Sequence, residues 1–311
     1  MVIKVFIPER NNLNERVLFA HPDIERVENP QEADFIIAQS TFGHLSHIDK
    51  TIYIAVEPPR TSHRIWCYDL FDRFHTVICH NPDPSKENQF PFTPDDSCQY
   101  YPTYGDPYPF HTREDTTIKT KAVFYAGMIN IFENSPDAHG GINITPLRKL
   151  LGDYFKREFP GSIIIGIGWG GQRTKVDNWR EDKQNQIMDS NVDFVLALEN
   201  TMYPNYLYEK IWDGFACDKV TMYLGDPRVE HHIPTDCFID LRPYFDTKSK
   251  KFDLDALGKY LKEMTQEEYD RILNNARKFR ETCHGKYVEY MDKLTNFLIR
   301  RMLNGEKEFK P

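Results

Sequence analysis

No run of apolar residues in this chain approaches the roughly 20 that a membrane-spanning helix requires. The six cysteines form no Cys-x-x-Cys pair and no compact spacing, which favours reduced thiols over a zinc site or a disulfide framework. Basic residues are also in deficit relative to acidic ones, which gives a formal net charge of −8. That deficit disfavours a broad surface for nucleic acid or anionic membranes, although it leaves room for a local basic pocket.

The two ends of the chain bear on where the protein resides. The opening residues, MVIKVFIPERN, are too short and too interrupted in apolarity for a signal peptide, and we expect a first strand there. Leu294 to Leu303 is amphipathic and has Lys293, Arg300 and Arg301 on or beside it. We expect this helix to pack on the protein, with weak contact to a membrane surface as the alternative. The prediction is a cytoplasmic protein, which is membrane-peripheral in the second case.

Short apolar runs alternate with helical patterns along the chain, as in an α/β fold. The predicted strands are Val2–Ile7, Asp34–Ala38, Thr51–Val56, Thr76–Cys79, Ala122–Ala126, Ile163–Ile167, Phe194–Leu198, Val220–Leu224 and Cys237–Leu241. Their continuous apolarity is typical of parallel strands that are covered on both faces. The predicted helices are Leu147–Phe159, opened by Thr145 as N-cap and Pro146 at the first position, then Gln266–Thr282 and Tyr287–Leu303.

A change in composition marks a domain boundary. Asn81 to Thr120 is rich in proline, tyrosine and aspartate and has little periodicity, so we place the boundary near Thr116 to Lys119. The predicted domains cover residues 1–117 and 118–285, and the C-terminal helix of residues 286–311 packs back on the body. Two open α/β halves of this kind would face each other across a cleft.

The segment from Asp193 to Leu241 holds polar residues where strands end and helices begin. Glu199-Asn200 follows one apolar run, Glu209-Lys210 opens a helical pattern, and Gly225-Asp226 follows the next apolar run. In open α/β sheets, ligands bind at the carboxyl ends of strands and at helix N-termini, where free N–H groups favour anions.

The same segment, written FVLALEN…Y…EK…G…V…YLG.P…FI, resembles the donor-binding signature of the α1,3/4-fucosyltransferases, glycosyltransferase family 10. The resemblance implies a GT-B-like fold of two Rossmann-like domains facing across a cleft, with residues 1–117 on the acceptor side and 118–285 binding the nucleotide sugar. Because no membrane anchor is visible, the chain is similar to soluble microbial or viral members. The implied activity is inverting transfer of L-fucose from GDP-fucose to a glycan hydroxyl, with an α1,3-type linkage.

The resemblance assigns roles in donor binding. Lys210 would hold the diphosphate as a point charge, and Glu209 would accept hydrogen bonds from ribose or sugar hydroxyls. Asn200 and Tyr206 match neighbouring donor-site positions. Without the surrounding signature, Glu209-Lys210 would be interpreted as an exposed pair at a helix start.

Three further residues belong to the same segment. Glu199 and Gly225 are additional candidates for the donor site. Tyr208 stands where the family commonly has threonine, so the helix that follows is expected to lose one capping hydroxyl.

A glycine-rich stretch, GIGWGGQRTKVDNW from Gly166 to Trp179, follows a predicted strand. It is neither a P-loop nor a dinucleotide fingerprint, because no helical pattern follows its glycines. The resemblance implies that Arg173 contacts the diphosphate, with Lys175 as a weaker second cation. The alternative is a surface loop with a solvated arginine.

A predicted strand in the first half ends in Val56-Glu57-Pro58-Pro59. Inversion at a sugar carbon needs a base that takes the proton of the acceptor hydroxyl. The family's proposed base is a glutamate at the matching strand end, which identifies Glu57 as the catalytic candidate. The alternative is an ordinary exposed glutamate.

No metal site and no cofactor are predicted. Asp253-Leu254-Asp255 resembles a metal-binding Asp-x-Asp, but it precedes a helical pattern, where Asp253 is a natural N-cap. His231-His232 fits no metal-binding spacing. Tyr101, Tyr104, Tyr108 and Phe110 would suit either an acceptor platform or loop packing.

Two other functions remain open at this point. The first is the same fold with a different nucleotide-sugar donor, because donor choice depends on few contacts. A non-catalytic glycan- or nucleotide-binding relative would retain the fold without turnover. In each case the expected partners are a nucleotide sugar and an oligosaccharide, and not nucleic acid.

Overall fold

The computed structural model describes residues 2–8, 15–38, 45–55, 69–91, 110–129, 136–137, 139–169, 179–283, 286–307 and 309. The chain divides into two compact units. One unit combines Met1–Ser97 with Gly285–Pro311, and the other is Cys98–His284. The functional boundary predicted after residue 117 stays a prediction.

The first unit is built on a six-stranded sheet in which all paired strands are parallel. Its strands are β1 (Ile3–Phe6), β2 (Ile24–Arg26), β3 (Phe35–Ala38), β4 (Thr51–Ala55), β5 (Thr76–Cys79) and β6 (Gln89–Pro91), in the order β2-β1-β3-β4-β5-β6. Every residue of β4 and β5 is buried, as continuous apolar runs predict. Helix α1 (Glu15–Ala20) and the last helix, α7 (Lys286–Asn304), belong to the same unit.

Helix α7 buries its apolar face within this unit. Leu294, Phe297 and Leu298 are fully buried, and the Phe297 ring lies 4.9 Å from that of Phe90 in β6. Arg301 stacks over the same Phe90 ring at 4.7 Å and donates from Nε to the Thr76 hydroxyl at 2.7 Å. Within the described ranges, no helix is both long enough and apolar enough to cross a membrane.

The second unit contains a five-stranded parallel sheet. Its strands are β7 (Val123–Ala126), β9 (Ile163–Ile165), β10 (Phe194–Leu198), β12 (Val220–Leu224) and β13 (Ile239–Asp240), in the order β13-β12-β10-β7-β9. Because the chain runs from β7 to β9 on one side and then to β10 on the other, the strand order reverses between β7 and β10. Such a reversal is the place where open α/β sheets bind ligands.

Helices and small ribbons complete the unit. The helices are α2 (Pro146–Glu158), α3 (Trp179–Asp189), α4 (Glu209–Ala216), α5 (Leu254–Glu263) and α6 (Gln266–Cys283). Strand β8 (Ile142–Asn143) pairs with β11 (Thr201–Met202), and β14 (Phe245–Asp246) pairs with β15 (Lys251–Phe252), both antiparallel. Short 3-10 helices lie at Leu45–Lys50, Phe71–Arg73, Val229–His231, Thr235–Cys237 and Arg242–Tyr244. The cysteines in the described ranges, Cys79, Cys217, Cys237 and Cys283, are all buried and form no disulfide.

The start of α2 differs from the prediction in one detail. Pro146 occupies the first helical position as expected, but Thr145 already has helical backbone angles and its side chain does not cap the helix. Its hydroxyl donates instead to Asn143 Oδ1 at 2.7 Å, and the same oxygen accepts the Thr145 N–H at 2.9 Å. The carboxamide two residues earlier therefore orders this turn.

A buried charge cluster lies just before β12. Asp218 is fully buried at its side chain and accepts from Arg277 Nε at 2.8 Å, from Arg277 Nη2 at 2.5 Å and from Arg280 Nη1 at 3.3 Å. The backbone N–H of Arg113 adds a fourth donor at 2.7 Å. These contacts connect residues around 113 to α6, so the cluster organises the segment that leads into the second sheet.

Candidate functional site

The carboxyl edge of the second sheet provides a rigid backbone platform. Beyond β7 and β9 the chain continues in parallel, with Gly127 N donating to Ile165 O and Ile129 N donating to Ile167 O, each at 3.0 Å. Gly166 has a φ of +124°, and a Cβ there would lie 2.2 Å from the Gly127 carbonyl oxygen. Only glycine permits this approach of two backbones.

Arg148 lies at the point where the strand order reverses. It extends from α2 and is 3% exposed, with Nη1 donating to Met128 O at 3.1 Å and Nη2 donating to the side-chain oxygen of Asn200. Its Nε is buried without a hydrogen-bond acceptor, and no carboxylate of the described residues forms an ion pair with it. A buried charge is costly unless it is compensated, so this guanidinium indicates a site for an anionic ligand.

Glu199, Glu209 and Lys210 form a charged group beside it. Glu199 follows β10 and is fully buried. Its Oε2 accepts from Lys210 Nζ at 2.7 Å, and its Oε1 accepts the backbone N–H of Tyr208 at 3.0 Å. Glu209 Oε1 lies 3.3 Å from the same Nζ. Tyr208 is the N-cap of α4 and makes no side-chain cap, as its replacement of threonine predicts.

Electrostatics keep Lys210 charged. Burial alone would lower the pKa of its ammonium, but the charges of Glu199 and Glu209 outweigh burial and raise that pKa above its ordinary value. Burial raises the pKa of the Glu199 carboxyl, and the Lys210 charge opposes that shift. Lys210 therefore carries its charge at neutral pH but shares it between two carboxylates.

Tyr206 and Gly225 support this group from within. The Tyr206 ring is fully buried and lies 5.6 Å from the Tyr208 ring. A Cβ at Gly225 would lie 2.3 Å from Tyr223 Oη and 2.4 Å from Glu199 Cγ, so glycine leaves room for the buried glutamate.

A second buried polar network follows β12. His232 Nε2 lies 3.2 Å from Asn205 Oδ1 and 3.5 Å from Asp226 Oδ2, and the side chains of His232 and Asp226 are fully buried. The Asp226 N–H donates to Tyr223 Oη at 2.9 Å. Burial raises the pKa of the Asp226 carboxyl to about 6. The network connects the segment after β12 to the loop that leads to Tyr206.

The Asp-x-Asp sequence that begins at Asp253 forms a helix cap, as predicted. Asp253 Oδ1 accepts the Ala256 N–H at 2.9 Å at the start of α5, which confirms the N-cap interpretation. In the ranges that the structure describes, no group of three or more His, Cys, Asp or Glu residues is placed to hold a metal ion.

The structure brings together part of the predicted site. Asn200, Glu209, Lys210 and Glu199 surround the carboxyl end of β10, with Tyr206 and Gly225 packed beside them. Their binding roles stay predictions. The remaining predicted site residues, Glu57, Arg173 and Lys175, and the aromatic candidates Tyr101, Tyr104 and Tyr108, lie outside the described residues.

Arg148 is a candidate site residue that the sequence motifs did not predict. Its contact with Asn200 joins residues 52 positions apart, which no local pattern reveals. One signal was available, because Arg148 lies in the first turn of α2, where the helix dipole disfavours a cation. The structure explains the burial of this arginine, because its side chain reaches the place where the strand order reverses and donates there to Met128 O and Asn200.

Comparison with known proteins gives a consistent result. Residues 164–291 match the family described as glycosyltransferase family 10 (fucosyltransferase), C-terminal region. The curated relatives include 4-galactosyl-N-acetylglucosaminide 3-alpha-L-fucosyltransferase 9 from Homo sapiens and from Bos taurus, each 34% identical over 73 residues. That stretch covers 23% of this chain and 18% of those relatives, so the match spans less than a fifth of their length.

Two solved structures are similar over nearly the whole chain. A crystal structure of an alpha1,3-fucosyltransferase with GDP-fucose has a TM-score of 0.58 and 13% identity, covering 100% of this chain and 93% of that one. A crystal structure of an alpha1,3-fucosyltransferase with GDP has a TM-score of 0.57 and 15% identity, covering 99% and 93%. These matches confirm the predicted GT-B-like α/β fold with two Rossmann-like domains and C-terminal helices.

Proposed function

Because the chain carries the C-terminal domain of glycosyltransferase family 10, the fucosyltransferases, we propose that it is an inverting glycosyltransferase. The proposed reaction transfers L-fucose from GDP-fucose to a glycan hydroxyl and forms an α1,3-type linkage. The family match supports the reaction class, and the two similar structures, which contain GDP or GDP-fucose, support the donor.

One observation carries the proposal. Arg148, Asn200 and Lys210 converge at the carboxyl ends of β7 and β10, where the strand order reverses. Arg148 is a buried cation that no carboxylate among the described residues neutralises. A nucleoside diphosphate supplies the negative charge that such a cation lacks.

The charge balance also defines what Lys210 can do. With Glu199 and Glu209 ionised, these two carboxylates outweigh the single ammonium of Lys210, and neither of them forms an ion pair with Arg148 in the described part of the chain. A diphosphate therefore needs further cations, which is the role proposed for Arg173 and, more weakly, for Lys175. Together with Arg148 and Lys210 they would stabilise the charge that develops on the departing GDP.

The proposed reaction is a single displacement. Glu57 takes the proton of the acceptor hydroxyl, and that oxygen attacks the anomeric carbon as the bond to the β-linked GDP breaks. The electron pair of that bond leaves with GDP, and the product is α-linked. Asn200, Tyr206 and Glu209 are proposed to orient the ribose, the guanine or the fucose. We propose no cofactor and no metal requirement.

Calorimetry on purified protein tests the donor first. We expect GDP to bind more tightly than UDP or CMP, with the same affinity in EDTA. Transfer from GDP-fucose to galactosyl and N-acetylglucosaminyl acceptors then follows, with the linkage and anomeric configuration assigned by NMR. A preference for UDP would establish a different donor on the same fold, and loss of binding in EDTA would contradict the metal-free mechanism.

The catalytic base has its own test. Glu57→Gln should bind GDP like the unmodified protein but lose transfer, because the acceptor proton has no base. Unchanged transfer in this variant would contradict the role of Glu57. GDP binding without turnover in the unmodified protein would favour the non-catalytic alternative.

A further inference from the structure

Glu199 is enclosed by contacts that leave no oxygen facing solvent. The side chain is fully buried at the end of β10, and its backbone N–H donates to Leu224 O of the neighbouring strand at 3.0 Å. Both carboxylate oxygens accept hydrogen bonds, one from the Tyr208 N–H and one from the Lys210 ammonium. A residue so enclosed does not meet a ligand directly and acts through the groups that it holds.

We propose that Glu199 is a positioning residue for donor binding, which fixes the Lys210 ammonium and the N-terminus of α4 at the carboxyl edge of the sheet. The inference rests on the proposed function and deepens it. It replaces the expectation that Glu199 contacts the donor itself.

The contact with α4 compensates for a missing cap. In a capping box, a glutamate or glutamine at the third helical position accepts the N–H of the N-cap residue. The third position of α4 is Ile211, whose side chain has no acceptor. Glu199 accepts the N–H of Tyr208, the N-cap, from a strand nine residues earlier in the chain. One carboxylate therefore orders the first turn that carries Glu209 and Lys210.

The contact with Lys210 restrains a flexible side chain. Lysine presents its charge on a four-carbon stem with considerable rotamer freedom, so a fixed ammonium requires an anchor. Glu199 is itself held in place, because a Cβ at Gly225 would lie only 2.4 Å from its Cγ. Lys210 has three N–H donors. Glu199 takes one, Glu209 lies within 3.3 Å of Nζ, and a third remains for a phosphate oxygen.

A carboxylate beside a phosphate-binding lysine has two opposed effects. It competes with the phosphate for the positive charge, and it keeps the lysine charged and oriented. The groups that act on Lys210 are Glu199 and Glu209, which raise its pKa, and burial and Arg148, which lower it. Removing the Glu199 charge would therefore lower the pKa of the Lys210 ammonium, although Glu209 would still raise it.

The test compares Glu199→Gln with Glu230→Gln, which removes a charge from a half-exposed carboxylate paired with Arg242. Calorimetry with GDP between pH 7 and 10 gives the affinity. We expect Glu199→Gln to bind GDP about 10- to 100-fold more weakly at pH 7, the range expected for a charged hydrogen bond. Its affinity should fall further above about pH 9, because Lys210 in this variant should lose its proton below the ordinary lysine pKa of about 10.4. Glu230→Gln should behave like the unmodified protein. Equal or tighter GDP binding by Glu199→Gln would show competition and overturn the proposal.

A measurement without donor separates this inference from the proposed function. Competitive acetylation of lysines, read by mass spectrometry, reports the proton affinity of Lys210 directly. We expect Lys210 to become reactive at a lower pH in Glu199→Gln than in the unmodified protein, and an unchanged profile would overturn the proposal. If the profile shifts but the unmodified protein binds no GDP, the proposed function fails and the donor role of Glu199 fails with it.

Glu199→Asp provides a second variant if the glutamine protein does not fold. It keeps the charge but shortens the side chain by one methylene. We expect weaker GDP binding without the additional loss at high pH, because the ammonium stays charged but is misplaced. Unchanged GDP affinity in this variant would overturn the positioning role.

Discussion

Two buried charge clusters lie at opposite ends of the same sheet and differ in whether their arginines pair with a carboxylate. Before β12, Asp218 meets Arg277 and Arg280, and its oxygens accept four hydrogen bonds. Beyond β10, Glu199 and Lys210 lie close to Arg148, which has no anionic partner among the described residues. The residue types are the same, but both arginines of the first cluster pair with a carboxylate, whereas Arg148 does not. We infer that direct pairing with a carboxylate separates a structural cluster from a candidate ligand-binding one.

In the Asp218 cluster the carboxylate pairs with both arginines, although Arg280 Nε is buried without a hydrogen-bond acceptor. Burial would raise the pKa of Asp218, but the hydrogen bonds from Arg277 and from the Arg113 backbone outweigh it and lower that pKa. Arg280 also donates to Phe215 O at 2.6 Å and to the Thr112 hydroxyl at 2.9 Å. Breaking the Asp218 cluster should lower the stability of the protein, whereas changing the cluster around Arg148 should lower its affinity for the donor.

The largest effect is expected from Asp218→Asn. Asparagine tolerates the positive φ of +56° at this position, so the change isolates the charge. Two arginines would remain without their carboxylate, which should lower the free energy of unfolding by about 3–5 kcal/mol. Urea denaturation measures it, with the exposed Asp153→Asn as control. A loss below about 1 kcal/mol would mean that the cluster is no stronger than a surface ion pair.

The next largest effect is expected from Arg148→Met, in the cluster beyond β10. We expect kcat/KM with GDP-fucose to fall roughly 10²- to 10³-fold, as for loss of one preorganised donor to a developing charge. Because an uncompensated buried cation is removed, the free energy of unfolding should hold or rise.

The neighbouring Lys149→Met is the matched control, because Lys149 is exposed and pairs with Asp153 on the same helix. It should leave both quantities unchanged. Loss of stability in Arg148→Met without loss of donor binding would mean that Arg148 has a structural role, like Arg277 and Arg280. The two clusters would then not differ in function.

A smaller effect, on pH dependence, is expected at Asp226. Its pKa is about 6 in the folded protein against an ordinary 3.8, so the folded state binds this proton more tightly than the unfolded state. The stability that this group contributes is full below pH 3.8 and is lost as pH rises through 6. At 1.36 kcal/mol per pKa unit the loss is about 2–3 kcal/mol.

Asp226→Asn should remove that slope, because the carboxamide oxygen can still accept the Arg228 N–H. Melting temperatures at several pH values between 4 and 7.5 compare the two proteins. His232 faces the same carboxylate and opposes the effect when it is protonated, so His232→Gln is the companion variant. An identical slope in Asp226→Asn and the unmodified protein would contradict the assignment.

Central strands were predictable from the sequence and edge strands were less so. Strands β5, β10 and β12 coincide with their predicted bounds, because buried parallel strands have continuous apolar runs. The edge strands β9 and β13 are shorter than predicted. Gly166 leaves the strand conformation with its positive φ, and Thr235–Cys237 forms a 3-10 turn before β13. Apolar composition alone does not show where pairing stops.

The site was predictable where its residues are close in sequence. Asn200, Glu209 and Lys210 lie within one ordered motif, and the structure places their segment at the sheet edge as expected. Arg148 belongs to a different helix, and only the strand-order reversal brings it to Asn200. The burial of Glu199 also depends on Leu224 and Gly225 of the next strand, which no pattern within β10 reveals.

The first unit consists of two separate stretches of the chain, which affects the order of folding during synthesis on the ribosome. Residues 98–284 are contiguous, so that unit can fold as soon as it has emerged, whereas the sheet of residues 1–97 lacks the helix that covers Phe90 until residue 304 has been made. The half that is translated first should therefore be the last to become stable. Limited proteolysis of stalled nascent chains that end before residue 286 or beyond residue 304 would detect this order, because only the longer chains should protect β6.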